Sequence, residues 1–494
     1  MEAIISAVLG DLVGRAISFV VKKLREQTTS EEDLQRLRQL LLRVSAVVEE
    51  AEGRRVTNRG MIHQASTMRE QMFRGYYLLD TFRSREKEAD DEEVSRFLFA
   101  QSNFNPAKRI RCLSSNSQIE STVIGRESSQ ELKQVVLGLE SVVADMKEFA
   151  IFLMSYPRMY QQPYGAYLFV DKYMFGRQME REQAISFLLQ AEPPGNGNVG
   201  VLPIVGPARV GKSTLADHVC NDERVQNHFS LILLYTGNDL KDETVTSFRD
   251  HCTIKHQNIG LDEKRLLVVI ELLGDVDKGA WKRLLHLYEL YMPHGSKIII
   301  TSRSEKTASL GTTEAVRLNY LSKEAYWYFF RTLVFGSTDP EEHPKLTSIA
   351  MEIALEMRES FLYAYIIAAL LRENISARFW CRVLRHLREH RQKNILLLGE
   401  CPVDEEQPRY VWSMAKRRQG SEDIKFYLQG CDPQKGPASH GEIPKITVMD
   451  LISGTWSAMP RGKFEVLSWR SVIPPYYSYT TVCEFVRHES STTA

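Results

Sequence analysis

The residues best suited to chemistry form a glycine-containing loop in the stretch VLPIVGPARVGKSTLADHVCND, residues 201–222. Gly206, four further residues and then Gly211-Lys212-Ser213-Thr214 give the spacing G-x-x-x-x-G-K-[ST] of a loop that cradles phosphate. An apolar run precedes the loop, and a helix from Ser213 to Val219 is predicted to follow it. This context of strand, loop and helix favours a nucleotide site over a chance match in a turn.

Each part of the loop has a predicted role toward phosphate. Backbone N–H groups from Val210 to Ser213 would face a β-phosphate, beside the positive end of the following helix. Lys212 would add a full charge at the β- and γ-phosphates. Ser213 would be a ligand of Mg²⁺, together with Glu271 at the end of the predicted strand RLLVVIE, residues 265–271. The expected cofactors are therefore ADP or ATP with Mg²⁺.

The groups that hydrolysis would need are less complete. The residue after the metal-site carboxylate is Leu272, which has no acid–base chemistry. Asp275 and Asp277 follow in the next turn, out of register with the same strand end. Since water must be oriented and activated for phosphoryl transfer, we expect at most a slow ATPase and assign no catalytic residue.

A third polar strand end comes from SKIIITSRSEK, which places Thr301, Ser302 and Arg303 after an apolar run. A basic side chain at that position is expected to sense a γ-phosphate. The alternative is that Arg303 is a surface cation.

The elements around the loop predict a multidomain α/β protein. Short apolar runs at 201–205, 231–235, 266–270 and 298–301 do not alternate with polar residues, which is typical of strands buried on both faces of a parallel sheet. Helical patterns separate them. The predicted domains are a helical bundle (1–95), a linker with a helix (96–170), the P-loop domain (171–312), a helical domain (313–390) and a mixed, strand-leaning C-terminal region (391–494).

Finer expectations accompany these domains. A charged break is expected at 86–93 after the third helical pattern of the bundle, and a loop is expected at 99–123. In the C-terminal region the stretches ITVMDLISG and FEVLSW are expected to be strands. Trp281 and Trp327 are expected in the core, and His218 is interpreted as a packing or surface group.

Composition limits the function classes. The 63 basic and 63 acidic residues balance in a chain of 494 residues, which gives no reason to expect nucleic-acid binding. The seven cysteines are scattered, and no two form a C-x-x-C pair, which fits reduced thiols in the cytoplasm. The apolar start MEAIISAVLGDLVGRAISFVVKK has its basic residues after the apolar run, unlike a signal peptide. We interpret it as an amphipathic helix, and peripheral membrane contact remains an alternative.

The order of motifs resembles the NB-ARC nucleotide switch of plant coiled-coil disease resistance proteins. Phe175-Gly176-Arg177 resembles the motif near the adenine, which implies nucleotide contacts for Gly176 and Arg177. The segments GPARVGKST, RLLVVIE, GSKIIITSR and VRLNYLSKEAYWYFF follow in the family's order, and the start of the chain is similar to the Rx-type helical domain. The resemblance covers roughly residues 1–375.

The chain departs from that family at several motifs. Glu271-Leu272 replaces two adjacent aspartates, and Ser360-Phe361-Leu362-Tyr363 replaces Gly-Leu-Pro-Leu. The sequence contains neither the Met-His-Asp triplet nor a leucine-rich repeat, so we expect a divergent member that lacks those repeats.

The resemblance implies an ADP- or ATP-binding molecular switch or signalling component of plant innate immunity, with weak or no hydrolysis. The alternative is a nucleotide-independent scaffold or decoy partner of a full-length immune receptor. In either case protein partners, including other immune receptors, are expected at the N-terminal bundle.

Overall fold

The computed structural model describes residues 31–100, 117–157, 175–190, 199–207, 210–236, 253–257, 265–272, 275–276, 278–398, 411–416, 424–437, 446–447, 450, 462–470 and 477–487. The chain divides into two compact units, Met1–Gln162 with Glu341–Ser348, and Pro163–Pro340 with Ile349–Ala494. The predicted N-terminal amphipathic helix lies outside the described residues, as do Asp277 and most of ITVMDLISG.

Three helices are described in the first unit: α1 (residues 31–52), α2 (Arg59–Ala100) and α3 (Ser117–Leu153). Their buried side chains recur at helical spacing, and α2 packs against α3. Asn58 caps α2 by accepting a hydrogen bond from the backbone N–H of Met61 at 3.2 Å. A buried ion pair from Arg69 Nη1 to Glu52 Oε1, 3.2 Å, joins α2 to α1.

Two expectations for this unit were wrong. The charged stretch at 86–93 does not interrupt α2, which continues to Ala100. Its Glu, Lys and Ala residues favour helix, and no glycine or proline interrupts them. The loop expected at 99–123 is shorter at its far end, because α3 begins at Ser117.

A six-stranded sheet is described in the second unit, with the order β3-β2-β4-β5-β1-β6. Its strands are β1 (Gly200–Val205), β2 (Leu231–Thr236), β3 (Thr253–Gln257), β4 (Leu266–Glu271), β5 (Lys297–Ser302) and β6 (Val316–Arg317). The four predicted strands are confirmed as parallel neighbours. The other two were not predicted: β3 pairs antiparallel at one edge, and β6 is two residues long.

Helices cover both faces of this sheet. They are α4 (Gln178–Leu189), α5 (Lys212–Cys220), α6 (Glu223–His228) and α7 (Lys278–Tyr291). Leu202 and Ile204 of β1 pack with α4 and α5 in one apolar cluster, whereas Val201 packs with Trp281 of α7 in another. Burial on both faces explains why the strand sequences are apolar at successive positions. It also confirms Trp281 as a core residue.

Four helices follow: α8 (Lys323–Phe335), α9 (Pro344–Glu356), α10 (Phe361–Glu373) and α11 (Ala377–Leu398). Trp327 of α8 is buried, as predicted, and α8 packs against α10.

A four-stranded antiparallel sheet has the order β7-β8-β10-β9. Its strands are β7 (Val411–Lys416), β8 (Ile424–Pro437), β9 (Lys463–Arg470) and β10 (Tyr477–Arg487). The predicted strand FEVLSW lies in β9. No helix among the described residues could cross a membrane.

Candidate nucleotide site

Gly206 lies where β1 leaves the sheet and the loop begins. Its φ is +156°, and its N–H donates to the carbonyl of Ser302 at 3.3 Å. A Cβ at this position would come well inside 3.0 Å of the backbone carbonyl oxygen of Leu318, just after β6. The residue must therefore be glycine, because the backbone that follows β6 occupies the space that a side chain would need.

Gly211 and Lys212 form the other end of the loop. Gly211 is the N-terminal cap of α5, with φ +95° and ψ 23° in the left-handed region that glycine adopts without strain. The Lys212 ammonium donates to the carbonyls of Gly206 and Pro207, at 2.7 and 2.6 Å. Burial, reinforced by the charge of Arg303, lowers the pKa of Lys212 to about 8 despite the opposing charge of Glu271.

Ser213 and Glu271 are brought together from positions 58 residues apart, and the Ser213 hydroxyl donates directly to a carboxylate oxygen of Glu271. Glu271 ends β4, and its register partner on β5 is Thr301, which in turn is level with Ile204 of β1. A hydroxyl in the first turn of α5 and a carboxylate at the end of β4 suit Mg²⁺, which takes one or two protein ligands and completes its shell with water and phosphate oxygens.

The Leu272 side chain packs in the apolar core and not beside the Ser213–Glu271 contact. Its side chain is 4% exposed and belongs to the same apolar cluster as Trp281, while its backbone N–H donates to the Thr301 carbonyl at 2.8 Å. The position therefore serves the core.

Arg303 follows β5 and is exposed, while Thr301 and Ser302 are buried. The Ser302 hydroxyl accepts a hydrogen bond from the Ser304 N–H at 3.1 Å, which turns the chain after the strand. Arg303 lies near enough to Lys212 for its charge to contribute to the lowered pKa of that lysine. This agrees with a phosphate-facing position, and the sensor role remains a prediction.

Residues 175–177 form a turn immediately before α4. Gly176 has φ +68°, and a Cβ there would touch Leu321 Cδ2 at 3.3 Å. The Arg177 guanidinium is 6% exposed; it donates to Glu180 Oε1 at 3.1 Å and to the backbone carbonyl of Asn319. The turn therefore docks on residues 318–321, the same segment that contacts Gly206.

Ion pairs hold α4 onto α6 and so fix the position of this turn. Arg224 reaches Glu182 at 2.7 Å and Asp222 at 2.9 Å, and Arg181 reaches Asp222 at 2.6 Å. The arginines lower the pKa of the Asp222 carboxyl, against the opposing effect of its burial.

Sequence reasoning missed the segment that joins these parts. Leu318 contacts Gly206, and the Asn319 carbonyl accepts a hydrogen bond from Arg177. Neither residue was singled out from the sequence. The available signal was their position inside VRLNYLSKEAYWYFF, directly after the apolar pair that forms β6.

Ser360, where the related motif has glycine, caps α10 by accepting from the Tyr363 N–H at 3.4 Å. The two residues before it, Arg358 and Glu359, have φ values of +47° and +53°, which is strained for residues other than glycine. The Tyr326 hydroxyl donates to the Ser360 carbonyl at 2.8 Å. Burial, with the nearby Glu359, raises the pKa of Tyr326 well above its ordinary value.

The described residues fit a magnesium nucleotide. The backbone at Gly206 is too close for any Cβ, a left-handed glycine precedes α5, the Lys212 ammonium lies inside the loop, and Ser213 contacts Glu271. These features are the ones that a site for phosphate and Mg²⁺ would need. No group of three or more His, Cys, Asp or Glu suited to a metal occurs among the residues that the structure describes. The metal would therefore depend on the nucleotide for further ligands.

Comparison with known proteins adds family matches. A family model described as the NB-ARC domain matches residues 177–340, and one described as the Rx N-terminal domain matches residues 8–112. The chain is 23% identical over 368 residues to Disease resistance protein RGA2 of Solanum bulbocastanum, covering 71% of this chain and 35% of that protein. It is 24% identical over 404 residues to Putative disease resistance RPP13-like protein 1 of Arabidopsis thaliana, covering 78% and 37%.

The chain thus spans little more than a third of the length of these curated relatives. Among solved structures, "Structure of C. elegans PCH-2" matches with a TM-score of 0.30 and 10% identity over 46% of this chain and 73% of that chain. A TM-score of that size supports no further argument.

Proposed function

We propose, from the premise that this chain is a divergent coiled-coil NB-ARC protein with an Rx-type N-terminal domain, that it is a nucleotide-binding switch or signalling component of plant immunity. Its ligand would be ADP or ATP with Mg²⁺. The names of its relatives support the defence role, and the phosphate loop supports the ligand.

One observation carries the ligand assignment: the Ser213 hydroxyl meets Glu271 at the point where the Lys212 ammonium closes over the loop. The proposed ligands of metal and phosphate therefore lie at the carboxyl ends of the parallel strands, where α/β sheets bind ligands. A bound nucleotide would exchange the Lys212 bonds to Gly206 and Pro207 for bonds to phosphate.

We expect this switch to hydrolyse ATP slowly or not at all. Leu272 lies in the apolar core and offers neither a base nor a hydrogen bond to water. A switch requires only that nucleotide bind two conformations with different affinity, and turnover is not needed for that.

Cys220 and Cys381 are free thiols among the described residues, which supports a cytoplasmic location. We propose that the N-terminal bundle is the surface for protein partners.

The test is nucleotide occupancy. The full chain would be purified, denatured and assayed by chromatography for released ADP or ATP, beside Lys212→Ala and the control Lys282→Ala, which removes an exposed lysine from α7. Nucleotide is expected from wild type and Lys282→Ala and not from Lys212→Ala. Turnover of added ATP would then separate a slow ATPase from a static binder.

Equal occupancy in all three proteins would contradict the assigned site. Empty sites in all three, in folded protein that also fails to bind added Mg·ADP, would favour the scaffold or decoy function. That alternative draws on the loss of the glycine and proline at Ser360 and Leu362.

A further inference from the structure

One face of α11, the arginine face, carries three exposed arginines. Arg378, Arg382 and Arg385 recur at i, i+4 and i+7 and therefore lie on the same side of the helix Ala377–Leu398. Within the part of the chain that the structure describes, none of the three forms an ion pair. The whole helix contains six Arg and Lys residues but one acidic residue, Glu389. The arginine face is therefore a local concentration of positive charge on a chain of zero net charge.

The opposite face of α11 is fixed in the core of the helical domain. Trp380, Val383 and Leu384 are buried there. The Trp380 Nε1–H donates to the backbone carbonyls of Leu371 and Asn374, at 3.1 and 3.0 Å, which ties the start of α11 to the end of α10. Because its apolar face is already occupied by the protein, α11 cannot bury that face in a bilayer as an interfacial helix does. The packing instead presents the arginine face to solvent.

The same helix pairs two further arginines with an acidic helix of this chain. Arg388 Nε lies 3.2 Å from Glu356 Oε1, and Arg388 Nη2 lies 2.5 Å from Glu352 Oε2. Arg391 Nη1 lies 2.9 Å from Glu356 Oε2. Glu352 and Glu356 are one turn apart on α9, so α11 binds carboxylates that recur at helical spacing. The arginine face offers the same chemistry on the outward side of the helix.

Charge and geometry favour an acidic protein helix as the occupant of this face. Guanidinium groups bind carboxylates in a planar, bidentate arrangement, and a partner helix with carboxylates at i, i+4 and i+7 would match three arginines spread over about 10 Å. Ile375, which precedes the helix and is 60% exposed, would add an apolar contact at one end. Nucleic acid is a poorer match, because proteins that bind it are strongly basic and this chain has 63 basic and 63 acidic residues.

We propose that the arginine face of α11 is a docking surface for an acidic helix of a protein partner, which pairs its carboxylates with Arg378, Arg382 and Arg385. The inference goes beyond the proposed function, because no residue of the phosphate loop takes part and no nucleotide is required. It also adds a second partner surface, in the helical domain, to the one proposed for the N-terminal bundle.

The test uses a fluorescein-labelled, alanine-based helical peptide with glutamates at i, i+4 and i+7. Its binding to the full chain would be measured by fluorescence anisotropy at about 20 mM salt, where exposed charges are weakly screened. Wild type is compared with a variant that reverses the arginine face, Arg378→Glu, Arg382→Glu and Arg385→Glu. The matched control reverses three exposed cations of α7, Lys278→Glu, Lys282→Glu and Arg283→Glu. Both variants change the net charge equally, and thermal melting would verify that each one folds.

Wild type and the α7 control are expected to bind the glutamate peptide within about twofold of each other, and the arginine-face variant at least about tenfold more weakly. A peptide with lysines in place of the glutamates should show the reverse preference and bind the arginine-face variant more tightly than wild type. A loss of binding through damaged structure would not produce that reversal. Arg382→Glu alone should weaken binding of the glutamate peptide about threefold, and it supplies the test if the triple variant fails to fold.

Equal binding of the glutamate peptide by wild type and the arginine-face variant would overturn the inference. So would equal binding of a peptide with glutamines in place of the glutamates. Duplex DNA and phosphatidylserine vesicles would be titrated beside the peptide. If either binds wild type more tightly than the glutamate peptide does, and the arginine-face variant loses that binding, the face recognises phosphate and the acidic helix is the wrong occupant. Nucleotide occupancy does not enter these measurements, so they can fail while the proposed function stands.

Discussion

Replacement of Gly206 by alanine tests how closely the loop is built against its neighbouring strand. The new Cβ would clash with the carbonyl oxygen of Leu318, which is backbone and cannot swing aside as a side chain could. To restore ordinary contact, the end of β1 and the segment after β6 must separate by about 1 Å. That movement strains two hydrogen bonds, Leu318 N–H to Val205 O at 2.9 Å and Gly206 N–H to Ser302 O at 3.3 Å.

The magnitude follows from these losses. Two backbone hydrogen bonds at about 1 kcal/mol each, with a similar amount of backbone strain, give a destabilisation of about 2–4 kcal/mol. For a unit of this size, Pro163–Pro340 with Ile349–Ala494, that corresponds to a fall in melting temperature of about 3–6 °C. Mg·ADP affinity should fall as well, because Leu318 is continuous with Asn319, the docking point of Arg177.

Gly138→Ala is the matched control. Gly138 lies inside α3, and its Cβ would meet only the end of the flexible Gln71 side chain, at 2.9 Å from Oε1. Since alanine favours helix over glycine, this variant should be neutral or more stable by about 0.5–1 kcal/mol. Differential scanning fluorimetry and ADP titration would measure both variants. A Gly206→Ala protein that melts and binds ADP like wild type, or a Gly138→Ala protein that is equally damaged, would refute the reasoning.

Three further predictions concern neighbouring groups. Burial, aided by Arg181, lowers the pKa of His218 to about 4, so the folded state keeps the ring neutral; stability should fall by up to about 3 kcal/mol as pH drops from about 6.5 to 4. The melting temperature of His218→Gln should not show this loss of stability at low pH. An identical pH profile of melting temperature for wild type and variant would contradict the prediction. Leu272→Asp should cost about 3–5 kcal/mol by placing a carboxylate in an apolar cluster, without raising ATP turnover; phosphate release and melting would check this, and a faster, stable variant would count against it. Tyr326→Phe removes the bond to the Ser360 carbonyl and should cost about 1–3 kcal/mol, measured by melting, with no change expected if that carbonyl finds another donor.

Much of the site could be predicted because its requirements are local. The spacing from Gly206 to Thr214 is set by the path of one loop, and the positive φ of Gly211 belongs to that path. Short apolar runs indicated the strands correctly, since a strand buried on both faces needs apolar residues at successive positions. The binding roles of Gly206, Val210, Gly211, Lys212, Ser213, Thr214, Arg303, Gly176 and Arg177, and the metal role of Ser213 with Glu271, remain predictions that nucleotide binding would test.

Tertiary structure alone decided which distant residues meet. Leu318 contacts Gly206, and the Asn319 carbonyl accepts a hydrogen bond from Arg177, because β6 pairs with β1 just before them. That pairing is two residues long, which is too short to leave a pattern in the sequence. The antiparallel edge strand β3 and the continuation of α2 were missed for related reasons: one lacks an apolar run, and the other is a charged stretch without a helix breaker. Three aromatic rings that pack together are ordinary core candidates in the sequence: Phe175, Phe329 and Phe361. Only the packing of α8 on α10 and on the turn before α4 brings them together, because such contacts depend on strand order and helix docking and not on local periodicity.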